Sequence, residues 1–289
     1  MKCEICESEE HELVSENLRY TTNQKIYRCK RCGLVFLHPK MTPAKEKKFY
    51  EEEYGEIYSN EKGTTPADLF QARLQDAEMY KGWIKSYLSG EDDCLEIGCA
   101  SGYFLETIKN EVRSVSGIET HLLLKQYCEK LGISMFEELD DVEDDSFDKI
   151  FLFFVLEHLG EPKKYLESLL AKLKPNGKIF IVVPNVDDAL LSLYDLPAFK
   201  SFYYTPAHQF YYSKKTLANL FRKTGIENFE IKPIQRYDLS NHMYWMIYSK
   251  PGGMGRYNNV FHEKLNLEYK TALESKFICD TLFAVITKN

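Results

Sequence analysis

The sequence predicts an α/β chain: a doubly wound, mostly parallel, Rossmann-like sheet with a small N-terminal four-cysteine module and an aromatic-rich insertion. Three observations predict it. From Asp93 onward, short apolar runs alternate with helical stretches, the pattern of strands joined by crossover helices. The turn after the first run, Gly98-Cys99-Ala100-Ser101-Gly102, is rich in small residues. Half of the 8 cysteines fall in two equally spaced pairs near the N-terminus.

Each element follows from its own signal. Residues 67–88 place Phe70, Leu74, Ala77, Ile84 and Leu88 on one helical face. Cys94–Ile97 reads as the first strand, Ser114–Ile118 as the second and Ile133–Phe136 as the third. Lys149–Phe153 is continuously apolar after its lysine, as a strand buried on both faces should be. Lys178–Val183 is the fifth strand, after the turn Pro175-Asn176-Gly177. Leu122–Leu131, Lys163–Leu173 and Ser213–Thr224 read as helices, the last with Ser213 as N-cap. Asn228–Pro233 and Asp280–Thr287 read as the last two strands.

The cysteines carry the next inference. Cys3-x2-Cys6 and Cys29-x2-Cys32 can each present two thiolates from a tight turn, and four thiolates complete a tetrahedral zinc site. Such a site leaves no open position, so the zinc is expected to be structural. Gly33 follows Cys32, where a knuckle often needs positive φ. Between the pairs, Arg19-Tyr20 and Lys25-Ile26-Tyr27 flank Thr21-Thr22-Asn23-Gln24, which reads as a β-hairpin. A segment this small has little core, so the metal is expected to supply its stability. The expected organisation is a zinc ribbon over 1–40 and a charged, Tyr-rich linker with a short helix over 41–66. The main domain then spans 67–289, with insertions at about 185–212 and 238–275.

Composition limits the partners. The net charge is −7, and the basic clusters (Arg28, Lys30, Arg31; Lys45, Lys47, Lys48) are short and surrounded by acids, so a nucleic-acid-gripping face is not expected. No apolar run is long enough to span a bilayer, and Met1-Lys2-Cys3-Glu4 does not open a signal peptide. A cytoplasmic location with reduced thiols is the expectation.

The glycine turn does not fit the dinucleotide fingerprint, because only two glycines frame Cys99-Ala100-Ser101. Glu96 precedes the turn, where a carboxylate repels a diphosphate but suits an ammonium group. Glu119 ends the second strand about twenty residues on, where it can accept both hydroxyls of a ribose. Four stretches, in this order, carry a family resemblance: Leu95-Glu96-Ile97-Gly98-Cys99-Ala100-Ser101-Gly102, then Gly117-Ile118-Glu119, then Ser146–Ile150 running to Val155-Leu156-Glu157-His158-Leu159, then Leu173–Lys178. Over residues 90–185 the chain resembles the class I S-adenosylmethionine methyltransferases. The resemblance implies that Gly98, Cys99, Ala100, Ser101 and Gly102 hold the methionine end and Glu119 the ribose. Leu139 and Asp140 would line the adenine, and Phe153 the sulfonium.

Cys29-Lys30-Arg31-Cys32-Gly33-Leu34-Val35-Phe36 resembles the zinc modules preceding some sugar methyltransferases, including carbon methylases of nucleotide-linked deoxysugars. Those relatives carry a further C-terminal domain, so oxygen or nitrogen is the expected acceptor here. His158 follows the fourth strand at the edge where open sheets bind ligands, and can take a proton from the acceptor; alternatively it orients the loop. His208, within the aromatic run Phe202–Tyr212, is the second proton-acceptor candidate. Trp245 and its neighbouring tyrosines either stack on a sugar or base, or cover the sheet. The leading expectation is methylation of a small sugar-like metabolite, releasing S-adenosylhomocysteine. The alternatives are an RNA methyltransferase using the ribbon to hold RNA, and a non-catalytic cofactor-binding scaffold. The sequence leaves the oligomeric state open.

Overall fold

Apolar runs become adjacent strands in a computed structural model of the chain, which describes residues 1–20, 23–40 and 63–289. The expected linker helix, the cluster Lys45, Lys47, Lys48 and the turn residues Thr21 and Thr22 lie outside the described residues.

In chain order the N-terminal strands are β1 (His11–Ser15), β2 (Lys25–Cys29) and β3 (Val35–His38). Helix α1 (Pro66–Ile84) precedes β4 (Asp93–Ile97), α2 (Tyr103–Ile108), β5 (Ser114–Ile118), α3 (Leu122–Lys130), β6 (Ser134–Phe136) and β7 (Phe147–Phe153). Then come α4 (Pro162–Lys172), β8 (Leu173–Pro184), α5 (Ala189–Ser192), α6 (Pro197–Tyr203), β9 (Phe210–Tyr211) and α7 (Lys214–Lys223). The chain finishes with β10 (Phe229–Ile234), α8 (Leu239–Tyr248), α9 (Glu263–Ser275) and β11 (Thr281–Thr287). A seven-stranded, mostly parallel sheet has the order β10-β11-β8-β7-β4-β5-β6, and a four-stranded sheet the order β1-β2-β3-β9. No helix among the described residues is long and apolar enough to cross a membrane.

The chain divides into two compact units. The first takes Met1–Lys40, Phe154–Tyr165 and Ile181–Val285; the second takes the described residues from 63 to Phe153, then Leu166–Phe180 and Ile286–Asn289.

In the second unit β4 runs parallel to both β5 and β7, and β5 parallel to β6. Cys94, Leu95, Ile150, Phe151 and Leu152 are fully buried, which is why these runs lack polar alternation. Phe104 packs edge-on against Phe151 (ring centroids 5.0 Å apart) and Phe153 (4.8 Å). Each such ring removes enough apolar surface to stabilise the fold by roughly 1.5–3 kcal/mol. Thr65 starts α1: its side chain accepts from the Asp68 N–H, while Asp68 accepts from the Thr65 N–H, and Pro66 occupies the first helical turn. The buried face of α1 is Phe70, Ala77, Tyr80 and Ile84. Leu88 is not on it, because the helix gives way to a 3-10 turn at Lys85–Tyr87 and Leu88 is extended.

In the first unit the expected hairpin is shifted. Its first strand is β1, and Arg19-Tyr20 lie in a bend, because the Ser15 side chain accepts from the Asn17 N–H and turns the chain early. β3 also pairs with β9, with Val35 opposite Tyr211 and Phe36 opposite Phe210. Ile26, Val35 and Leu37 share a core with Val186, Tyr204 and Tyr211. The stretch 238–275 holds two helices that the sequence reading passed over. Asp238 caps α8, and the helix buries Ser240, Asn241 and His242 as well as Trp245. His242 bonds Tyr269 (2.7 Å) and Gln235 (3.3 Å), so a polar stripe is buried where helical periodicity looks for apolar residues. Trp245 packs on Leu190 and Phe199 in the core, which favours covering over stacking on a ligand.

One ionic network should show in stability. Lys174 bonds both Asp93 (2.7 Å) and Asp148 (2.8 Å). Partial burial raises both acids, but bonds from Lys174 and from the Ser114 hydroxyl (to Asp93) and the Asp93 N–H (to Asp148) outweigh it and hold them below 3.8. Burial lowers Lys174, but the two acids outweigh it and raise the amine. The acids' contribution is present above about pH 4 and disappears as pH falls through their lowered values. The lysine's contribution is lost only as pH rises past its own raised value. Lys174→Met should cost about 1 kcal/mol at neutral pH. Urea melts of the two proteins should converge as pH falls below the acids' lowered values if this network carries the difference.

Candidate active site and metal centre

Three parallel strands end together in the second unit. Ile97 of β4 pairs with Ile118 of β5 and Leu152 of β7, so the next residues, Gly98, Glu119 and Phe153, lie along one edge. The loop after β4 turns tightly, with φ +67° at Gly98, +48° at Ala100 and +72° at Gly102. Gly98 and Cys99 donate their N–H groups to the Ile118 carbonyl (2.8 and 3.2 Å). Ala100 donates to one Glu119 carboxylate oxygen (2.9 Å) and His121 to the other (2.8 Å). Burial raises the Glu119 carboxyl; these amides oppose it without cancelling it.

Glu96 is buried, with its Oε2 lacking a partner among the described residues; the Ser101 hydroxyl is in the same state. Burial, with Glu119 adding like charge, raises the Glu96 carboxyl well above its ordinary range. Gly98 is exposed between these buried neighbours. Gly102 faces inward, where a Cβ would meet Ile133 at 2.6 Å, so this glycine packs the loop against the core. Leu139 is buried and Asp140 exposed in the 3-10 turn after β6. Phe153 packs on Tyr80, ring centroids 4.6 Å apart.

In the first unit the four N-terminal cysteines converge. Cys3 and Cys32 sulfurs lie 3.4 Å apart, Cys6 and Cys29 sulfurs 3.5 Å, and all four within 4.8 Å of one another. The two knuckles are alike: Glu7 after Cys6 has φ +59° and Gly33 after Cys32 has φ +87°. All eight cysteines are free of disulfides, and Cys94, Cys99, Cys128 and Cys279 are buried.

The same unit brings together His158 and His208, ring centroids 4.7 Å apart and nearly perpendicular. A 3-10 turn, Leu156–His158, sets out His158, and His208 lies two residues before β9. Burial pulls His158 down to about 4, opposed only by its hydrogen bond to the Ala207 backbone. Burial and the neighbouring His158 and Arg19 also hold His208 well below the ordinary imidazole range. Glu157 is the residue that sequence reasoning passed over. Burial pushes its carboxyl up to about 8, and it shares the cluster with both histidines. Its place before His158 was the available signal, but burial is not readable from a dipeptide. Buried Tyr203 and Tyr212 hydroxyls, Gln209 Oε1, His208 Nδ1 and both Glu157 oxygens have no hydrogen-bond partner among the described residues. Buried polar atoms are rarely left so outside sites that meet a ligand, ion or water.

Comparison with known proteins agrees with this geometry. A family model described as a methyltransferase domain matches residues 67–231. An uncharacterised protein of Methanocaldococcus jannaschii, MJ1123, is 29% identical over 138 residues, 46% of this chain and 64% of that protein. A tRNA U34 carboxymethyltransferase of Helicobacter pylori is 27% identical over 156 residues, 47% of this chain and 56% of that protein. The matches thus span less than two thirds of these relatives' own length. Phosphoethanolamine N-methyltransferase 2 of Haemonchus contortus, solved with S-adenosyl-L-methionine, shares the fold. Its TM-score is 0.51 at 14% identity, covering 88% of this chain and 61% of that one. With more than half of its length matched by the family model, the chain belongs to the methyltransferase-domain family.

Proposed function

We propose that this enzyme methylates oxygen or nitrogen of a small, sugar-like metabolite, such as a nucleotide-linked sugar destined for a surface glycan. The observation that carries the reading is the set of buried, unpartnered groups at Tyr203, His208, Gln209 and Tyr212 in the first unit. Hydroxyls, an amide oxygen and an imidazole suit a compact molecule rich in hydroxyl or amino groups. The net charge of −7 supports a small acceptor over a long polyanion. A tRNA substrate is the second reading, favoured by the likeness to the Helicobacter pylori enzyme.

The residues of the second unit fit the cofactor. The unpartnered Glu96 oxygen suits the amino-acid ammonium, and exposed Gly98 lets a ligand approach the backbone. Cys99, Ala100, Ser101 and Gly102 complete that loop. Glu119, held by two amides, retains lone pairs for ribose hydroxyls. Leu139 and Asp140 are assigned to the adenine and Phe153 to the sulfonium. When bound, S-adenosylmethionine supplies an electrophilic methyl group on its sulfonium. His158 and His208 are assigned to handling the acceptor's proton. Holding the acceptor in line is the chain's other contribution, since orientation alone removes roughly 7–11 kcal/mol of a barrier in favourable cases.

Cys3, Cys6, Cys29 and Cys32 fit a structural zinc. Sulfurs on a tetrahedral zinc with ~2.3 Å bonds lie about 3.8 Å apart, and the observed 3.4 and 3.5 Å spacings need only a small expansion.

Three outcomes are expected. Glu119→Ala should weaken S-adenosylmethionine binding roughly 10- to 100-fold, the loss of charge-assisted hydrogen bonds; unchanged affinity by calorimetry would remove Glu119 from the ribose site. Cys29→Ser should lower zinc by one equivalent per chain; unaltered metal content would refute the four-thiolate site. Labelled methyl transferred into a size-separated cell extract should appear in the small, phosphate-bearing fraction. Label in RNA would favour the second reading, and label nowhere would leave a cofactor-binding scaffold.

A further inference from the structure

We infer that Glu157, His158 and His208 bind a divalent transition-metal cation, at a site separate in its ligands from the four cysteines. Three donor atoms, one from each residue, lie within 4.8 Å of one another. Donors on a shared ion with bonds of ~2.0–2.2 Å stand about 3–4 Å apart, so modest side-chain shifts close the site.

The state of these atoms points to an occupant. Glu157 is 1% exposed, and neither of its oxygens has a partner among the described residues. His208 Nδ1 is buried in the same condition. An isolated buried carboxylate is costly unless a cation or hydrogen bonds compensate it. Elsewhere in the same unit Asp280 accepts from Arg236 (2.6 Å) and Thr281 (2.7 Å), and His242 has a partner at each ring nitrogen, whereas His11 shares the unpartnered state. The Glu157 cluster differs from His11 in bringing a carboxylate and two imidazoles together. His158 bonds the Ala207 backbone, an outer contact of the kind that orients a metal-binding imidazole.

Two imidazoles and one carboxylate suit iron, cobalt, manganese or zinc, and leave coordination positions open. The inference stands on the cluster alone and does not depend on the acceptor proposed above. With the cation in place the histidines would serve as its ligands, and the acceptor's proton would leave to water. An acceptor hydroxyl on an open position would be more acidic, as metal-bound water is.

The test is a titration of the full chain, with its zinc in place, by cobalt(II) chloride, followed by visible absorption and metal analysis after desalting. One cobalt per chain beyond the zinc is expected, with weak d–d bands and no thiolate charge-transfer absorption. Glu157→Gln, which keeps the side chain's shape, and His208→Gln should each weaken cobalt binding at least tenfold while zinc content holds. Three results would overturn the site: no cobalt uptake beyond the zinc, uptake with thiolate bands, or equal uptake by both variants. Absent uptake with methyl transfer intact would remove the cation and leave the enzyme reading standing.

Discussion

The parallel pairing of β4 with β5 on one side and β7 on the other fixes where the rest of the second unit can go. With Ile97 level with Ile118 and Leu152, three strands end at one height, and their next residues share an edge. Buried faces on both sides of these strands leave the chain only one way to reverse, through left-handed backbone at Gly98, Ala100 and Gly102. Ala100 adopts that conformation at a cost, and its N–H is secured by Glu119. One carboxylate thus follows a strand and ties down the glycine turn. Open α/β sheets bind their ligands at this edge for that reason.

The first unit is organised by polar satisfaction. The Asn185 amide donates to the Phe277 and Cys279 carbonyls, Asp280 takes Arg236, and His242 lies between Gln235 and Tyr269. These bonds let α8 bury a polar stripe. Phe154, at φ +58°, and the unpartnered groups around Glu157 break that economy within a few residues of each other. Strain and unsatisfied polarity close together in the chain are the marks of a segment shaped for binding. The ribbon does not rest on metal ligands alone, since β3 takes a fourth strand from β9 and Ile26, Val35 and Leu37 share a core with Tyr204 and Tyr211.

Much of this was legible because it depends on local patterns. Two Cys-x2-Cys pairs bring four sulfurs within 4.8 Å, and Gly33 has the positive φ that its position after Cys32 called for. Runs such as Lys149–Phe153 became strands because a continuous apolar stretch has few other places to go. Ser213 caps α7 through Thr216, as its position before the helix implied. What escaped depends on contacts distant in sequence. Helix α8 was hidden because its buried residues are Ser240, Asn241 and His242, whose partners lie at Gln235, Tyr257 and Tyr269. Glu157 was hidden because a carboxylate beside a histidine reads as solvated until the fold buries it. Glu7 gave no glycine signal, yet its backbone mirrors Gly33.

The account's central claim is that the edge formed by Glu96, the Gly98–Gly102 loop and Glu119 holds the cofactor. A crystal structure of the chain soaked with S-adenosylhomocysteine tests it most directly. The account predicts density along that loop, with the amino-acid end near Glu96 and both ribose hydroxyls on the Glu119 carboxylate. Density elsewhere, with Glu96 and Glu119 left untouched, would contradict it.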